Sequence, residues 1–388
     1  MKFLTYVLRN ARRNPVRSLL TIASTGLSLF LVMILFSFFT VIEDRGQATR
    51  VYNRIVTINS QGFAGMVPIK DNQEIAALDG VVATTPFSFF GGKYADQTMP
   101  FAQFGVSPDT FFTIYSEFTI APEQLKAWQE NMDGCVIGKK LADDWKLKVG
   151  DPMPLKGDIY PVDLKLTVRG IYDGPEKSDR RMCLFRWDYF DEAMKQSSLS
   201  KAAGNAGCVV ARCKSGELMA PLSTKIDDMY RNSDNPTRTQ TEEAFTKFFV
   251  EMLGDLQGMV KWISIAVGVS LLFVSANALA MALRERTTEV AVLKAIGFSK
   301  LLVLMLVLAE AMIVAGIGGL IGTFGCKLFC DVVDVAGWTG GFLPFFYVPW
   351  PTAIIGFLVS LAIGFASGLV PAWNSARLSV VNGLRKVV

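Results

Sequence analysis

Apolar positions fall into two regimes along this chain. In four stretches they run almost unbroken; elsewhere they alternate, or recur at short period, between charged residues. A helix rising about 1.5 Å per residue needs roughly 20 apolar residues to cross about 30 Å of hydrocarbon. Residues 18–42 provide 25 positions without a charge, and residues 262–283 provide 22. Residues 301–326 are interrupted only by Glu310. A fourth span is expected at 351–371, inside the uncharged stretch 335–376. The first run follows basic residues, as a signal peptide would. It is too long for a signal-peptide core, however, and no small-x-small cleavage site precedes Glu43 and Asp44, so it reads as an uncleaved anchor.

Basic residues near the spans set the orientation. Lys2, Arg9, Arg12, Arg13 and Arg17 precede the first span. The second-to-third connection carries Arg284, Arg286, Lys294 and Lys300, and the tail carries Arg377, Arg385 and Lys386. The third-to-fourth connection has only Lys327. Both termini are therefore expected inside. The resulting map has a cytoplasmic amphipathic helix at 1–17, a first span at 18–42 and an extracytoplasmic domain with a stalk at 43–257. A second span at 258–283, a cytoplasmic helix at 284–300 and a third span at 301–326 follow. The map closes with an outer loop at 327–350, a fourth span at 351–371 and a cytoplasmic tail at 372–388. The fold class is a four-helix membrane protein with a large mixed α/β domain inserted between its first two spans.

That inserted segment holds 26 Lys/Arg against 30 Asp/Glu over 43–261, a balance that excludes nucleic acid as its ligand. Strand-like runs at 54–59, 135–137, 164–172 and 208–212 are separated by Gly-Asp and Asp-Gly turns. Helical patterns occupy 72–78, 121–131 and 139–145. At its end Phe245, Phe248, Phe249, Met252, Leu253, Leu256, Met259 and Val260 recur at helical period, behind Glu242 and Glu243 in the first turn. The stripe suits a rigid stalk or a helix packed on its own domain; continuity with the second span favours the stalk. Residues 2–13 set Phe3, Leu4, Val7, Leu8 and Ala11 against Arg9, Arg12 and Arg13, as in a helix lying on a membrane surface.

Composition narrows the chemistry. The chain is 51% hydrophobic, 19% charged and contains no histidine. A Ser-His-Asp or Cys-His nucleophile, a His-ligated metal and an imidazole switch are all excluded. No cysteine spacing matches a zinc site, and no cofactor or metal is expected. Cys208 and Cys213 lie about 16 Å apart if 208–213 is one strand, too far to bond. A Cys135–Cys183 bridge stays open, while Cys326 and Cys330 read as small packing residues. The charged stretch 173–181 fits a solvated loop or a partner contact. Phe87–Phe90 and Phe111–Tyr115 fit core packing better than contact with cargo. Glu310 reads as a structural group in the bundle, since one carboxylate makes a poor transport path. Gly318-xxx-Gly322 and Gly364-xxx-Gly368 are small-residue faces for close helix approach.

Residues 277–297, NALAMALRERTTEVAVLKAIG, hold the most specific pattern. A short helix at about 287–296 would be stopped by Gly297, with Ser299 capping the helix that follows. Asn277, Glu285, Arg286, Thr287, Glu289, Leu293, Lys294, Ala295, Ile296 and Gly297 resemble the signature of the MacB/FtsX-like ABC transporter permeases. Glu310, Gly318, Gly319 and Gly322 continue the resemblance, as do Gly368, Pro371, Ala372, Ala376, Leu384 and Arg385 near the end. The family's closing Pro-Val-Glu-Ala-Leu-Arg is replaced here by Val380-Val381-Asn382-Gly383-Leu384-Arg385. Val136-Ile137-Gly138, Leu141-Ala142, Val149-Gly150-Asp151 and Val168-Arg169-Gly170-Ile171 resemble the family's periplasmic core.

The resemblance implies a non-catalytic permease in a bacterial inner membrane. It would pair with a second permease subunit, identical or not, and bind a cytosolic ABC ATPase. The short helix would act as the coupling helix, placing Arg284, Glu285, Arg286, Glu289, Lys294 and Gly297 at the ATPase. ATP-driven motion of the outer domains would then export or extrude an amphiphilic or hydrophobic substrate (a drug, lipid or lipoprotein), with a periplasmic adaptor and membrane lipid as further partners. The family's alternative is a signalling permease that activates cell-wall hydrolases. No G-x-x-x-x-G-K-[ST] loop occurs in the chain, and with only 17 residues ahead of the first span a fused ATPase is not expected. A membrane enzyme is disfavoured, because no intramembrane carboxylate pair supports one.

Overall fold

The computed structural model describes residues 15–62, 65–94, 101–175, 178–252, 256–338 and 346–377. The amphipathic segment expected at 2–13, and the 253–255 junction of the expected stalk, lie outside them. The chain divides into two units, residues 1–40, 255–333 and 347–388 in one, and 41–254 and 334–346 in the other.

Helices α1 (Pro15–Thr49), which belongs to the first unit up to residue 40, α9 (Leu256–Glu285), α11 (Lys300–Val332) and α13 (Trp350–Arg377) are long and apolar enough to cross a membrane. α10 (Thr287–Ala295) lies between α9 and α11 in the chain. With lipid as apolar as leucine, close packing must draw the helices together, and the glycines permit it. A Cβ on Gly318 would stand 2.8 Å from Thr25 Cβ of α1, and one on Gly322 only 2.5 Å from the Gly26 carbonyl. On the other side of α11, Gly319 meets Ser360, while Gly364 and Gly368 of α13 approach Ala315 and Ala311. Both small-residue motifs are thus spent on contacts within the chain. α11 runs past the expected end at residue 326 because Lys327 pairs with Asp331 at 3.0 Å, one turn on, and lies over the Trp350 ring. α13 likewise continues through Pro371 to Arg377.

Among its described residues the second unit has twelve strands: β1 (Arg54–Asn59), β2 (Val67–Pro68), β3 (Val81–Phe89), β4 (Lys93–Tyr94), β5 (Gln103–Val106), β6 (Gly134–Gly138), β7 (Pro152–Lys156), β8 (Leu164–Tyr172), β9 (Cys183–Arg186), β10 (Asn205–Ala206), β11 (Cys208–Cys213) and β12 (Thr237–Thr241). Ten form one sheet in the order β12-β1-β11-β3-β5-β9-β6-β8-β7-β4. Most neighbours are antiparallel, but β5–β9 and β6–β8 are parallel. Helices α2 (Ile69–Ala76), α3 (Phe111–Ile114), α4 (Pro122–Glu130), α5 (Lys139–Trp145), α6 (Trp187–Lys195), α7 (Met219–Tyr230) and α8 (Glu242–Met252) complete the described part of the domain, with one turn, α12 (Val335–Trp338). β8 alternates buried and exposed-leaning positions along its nine residues, the period of a strand with one face on the core. β1 and β6 are buried along their whole length, as central strands covered on both faces are.

Several apolar clusters carry this sheet, and two of them hold most of its aromatic rings. One joins Leu166, Val168, Phe185 and Phe190; the other joins Phe111, Phe118, Trp128 and Tyr172. Phe90 and the run from Phe111 to Tyr115 therefore serve the core, while Phe89 is 46% exposed. Phe245 and Phe248 of α8 pack against Val56, Ile58 and Ile114, so part of the stripe expected to form a stalk lies on its own domain. Arg54 opens β1 and is 2% exposed. Its Nη1 donates to Glu117 at 2.7 Å, its Nε donates to Glu242 at 2.6 Å, and its guanidinium lies 4.2 Å from the Tyr115 ring centre. Burial opposes the charge, but Glu242, Tyr115 and Glu117 outweigh it and hold the Arg54 pKa above its ordinary value.

All six cysteines are free thiols. Cys208 and Cys213 sit at the two ends of extended β11, as the spacing requires. Cys135 and Cys183 lie on adjacent strands but are unbonded. Burial pushes Cys208 up to about 12 and Cys213 up to about 11, and burial beside Cys183 raises Cys135 as well. At neutral pH these groups stay protonated, and a thiol is a poor nucleophile. All four domain cysteines are buried, so a maleimide should leave them unmodified in the folded protein and label them in denaturant, read by peptide mass.

Candidate functional site

α10 forms where the sequence changes from apolar to alternating. Arg286, with φ −105°, is its N-cap. Thr287 Oγ1 donates to the Arg284 carbonyl at 2.8 Å and tightens the turn out of α9. The far end closes as a Schellman motif: the Phe298 N–H donates to the Leu293 carbonyl, and the Gly297 N–H to that of Lys294. Gly297 adopts φ +104°, which side-chain-bearing residues resist. Ser299 Oγ then accepts from the Leu302 N–H at 3.2 Å and caps α11. Gly297→Ala should destabilise this turn by about 1 kcal/mol. The change is expected as faster amide exchange confined to 293–298, since nothing lies within 4 Å of the added methyl.

The six residues singled out in the sequence separate by direction. Arg284, Glu285 and Gly297 are exposed, and Glu289 is half-buried. Arg286 turns into the bundle, where its Nη1 donates to Glu310 Oε1 at 3.0 Å; both side chains are 13% exposed. Lys294 Nζ donates to the Ala376 carbonyl at 2.5 Å, near the end of α13. Burial, then the neighbouring charge of Lys300, holds the Lys294 pKa below its ordinary value. On the inner side of α10, Val290 and Ala291 are buried. On its outer side Val292 and Ile296 are 42% and 72% exposed.

In the second unit, the charged stretch expected to be a solvated loop is partly drawn inward. Arg181 is 7% exposed, bonds Asp144 at 3.1 Å and also pairs with Asp334. Lys140 reaches Asp334 at 3.2 Å. Burial opposes the Asp334 charge, yet Arg181 and Lys140 outweigh it and lower its pKa. Among the described residues, no group of three His, Cys, Asp or Glu side chains could hold a metal.

Residues 18–229, more than half of the chain, match the MacB-like periplasmic core domain, and residues 261–380 match the FtsX-like permease C-terminal region. The chain belongs to the MacB/FtsX family of ABC transporter permeases. An uncharacterized ABC transporter permease of Methanocaldococcus jannaschii is 24% identical over 98% of this chain and 97% of its own length. The macrolide export ATP-binding/permease protein MacB of Shigella sonnei is 32% identical over 28% of this chain and 16% of its own length. The extracellular domain of the ABC-type transporter YknZ from Gram-positive bacteria is 11% identical, with a TM-score of 0.37, over 49% of this chain and 100% of that one.

As a MacB/FtsX-type permease the protein is a multi-pass membrane protein, with its α/β domain inserted extracytoplasmically between the first two spans. In this permease, sequence reasoning passed over Val292 and named Ile296 only within the family signature. Their i, i+4 spacing beside Val290 and Leu293 carries a readable signal, since apolar residues circle α10 completely and one side must face outward.

Proposed function

We propose that this permease couples ATP hydrolysis by a separate cytosolic ABC ATPase to movement of its extracytoplasmic domain. The movement drives export of an amphiphilic or hydrophobic substrate. The observation that carries this reading is the outward side of α10, where Val292 and Ile296 lie exposed with Arg284 and Glu285 nearby. A short helix with apolar residues at its centre and charges at its rim suits a groove on a partner protein. The ATPase activity is assigned to that partner; these 388 residues hold no phosphate-binding loop. Family membership supports an ATPase partner, and the macrolide-export relative supports an apolar cargo. A second permease subunit, like or unlike this one, and a periplasmic adaptor complete the assembly.

Purification of the tagged chain in mild detergent tests this reading. Wild type should bring down an ATPase subunit, and Val292→Glu/Ile296→Glu should lose it while eluting as a folded protein. An accompanying adaptor supports export. Recovery of a cell-wall hydrolase in its place would turn the assignment to signalling, and no ATPase with either protein would refute the coupling role.

A further inference from the structure

We infer that Glu310 and the Ala376 carbonyl are positioning groups that strap the two ends of α10 to the membrane bundle, through Arg286 and Lys294. On this assignment neither basic residue is a primary contact for the ATPase. The inference rests on the coupling role proposed for α10 and adds the route by which its displacement enters the membrane.

The two straps are opposite in position and separate in target. Arg286 stands at the N-cap of α10 and bonds a carboxylate on α11; Lys294 stands in its last turn and bonds a carbonyl near the end of α13. They are eight residue steps apart, about 12 Å along the helix. Glu310 sits ten residues into α11, about 15 Å along its axis, with its side chain 13% exposed. A buried carboxylate is costly unless paired, and a paired one resists removal of its partner. The bond from Arg286 is thus a firm point. The second anchor is backbone, which cannot swing away as a side chain can.

What the straps hold is itself a rigid pair. Gly364 of α13 lies so close to α11 that a Cβ there would stand 2.6 Å from Ala315 Cβ and 3.1 Å from the Ala311 carbonyl. Gly368 repeats the approach against Ala311 and Leu308. Interdigitated helices of this kind shift as a body. A push on the outward side of α10 is therefore delivered at two points to α11 and α13 together, and is not absorbed by the turn at Arg286.

The test uses the full chain in lipid nanodiscs and four variants: Glu310→Gln, Arg286→Gln, Lys294→Met and the exchange Arg286→Glu/Glu310→Arg. Glutamine keeps the shape of the glutamate, so Glu310→Gln should fold. With it, amide exchange in 287–296 should rise about tenfold while the rest of α11 stays protected. The co-purifying ATPase should remain bound with an unchanged KM for ATP, while the kcat of the complex falls about fivefold. The exchanged pair should restore most of that loss, which a merely structural defect would not permit. Unaltered exchange in 287–296 would overturn the straps without reference to any ATPase. Loss of the ATPase from folded Glu310→Gln would also overturn them, because Arg286 would then be a contact residue. If wild type itself recruits no ATPase, the coupling reading fails, and the exchange measurement still decides the straps.

Discussion

Arg54→Ala is expected to unfold the extracytoplasmic domain at a temperature lower by roughly 10 °C, the effect of about 3–5 kcal/mol lost from a domain of this size. The size of the effect comes from what the substitution leaves behind. Glu117 and Glu242 have side chains 8% and 16% exposed, and both point at the guanidinium. Removing the cation abandons two carboxylates in a poorly hydrated place and opens a gap between Tyr52 and Tyr115, whose rings it touches at 4.7 Å and 4.2 Å. Arg54→Met/Glu117→Gln/Glu242→Gln should recover much of the loss, since an uncharged set of similar volume carries no stranded charge. Thermal unfolding of the detergent-solubilised chain, followed by tryptophan fluorescence, reads the difference. A shift below about 2 °C for Arg54→Ala would mean that water reaches the carboxylates and that the cluster is a surface ion pair.

Gly322→Leu is expected to prevent assembly of the membrane bundle. Its Cβ would fall 2.5 Å from the Gly26 carbonyl and 3.0 Å from Leu29 Cβ, against helix backbone that cannot yield as a side chain end can. Overpacking in a core costs about 1–3 kcal/mol where neighbours can repack, and more where they cannot. α1 would have to separate from α11, exposing Thr25 and Ser37, which are buried in the bundle. Gly325→Leu, three residues on, is the control: nothing lies within 4 Å of its Cβ, so the added side chain meets open space. Size-exclusion profiles and melting of the two variants should diverge sharply. Equal behaviour would remove the α1–α11 contact as a determinant of the fold.

The sequence was most legible where one local rule acted without competition. The alternation in Leu164–Tyr172 and the helix at Lys139–Trp145 both have the bounds their patterns predict. β7 was missed because Pro152 and Pro154 argue against a strand. The structure tolerates them where the partner on the far side, β4, is only two residues long and pairs at Lys156 and Leu155. β9, at four residues, is too short to show a period and owes its place to β5 and β6, far away in sequence. The fourth membrane helix was expected to stop at Pro371, yet it runs on to Arg377, and Ala372 packs against Leu283 and Val307 across the bundle. The short α10 was readable from its stop at Gly297. The inward turn of Arg286 and Lys294 was not, because it depends on Glu310 and Ala376, which no local pattern brings near.

The position of β1 sets a schedule for biogenesis. Its two neighbours in the sheet are β11 and β12, and Arg54 waits for Arg212 as its register partner. At a synthesis rate of about 5–20 residues per second, roughly 10–30 s separate the two on the ribosome. For that interval a six-residue strand, buried at every position in the finished domain, has emerged with neither flank covered. A strand in that condition invites pairing with another nascent chain. Production of this permease should therefore be limited by how well the secretion machinery or its chaperones shield residues 54–59 until residue 241 has crossed.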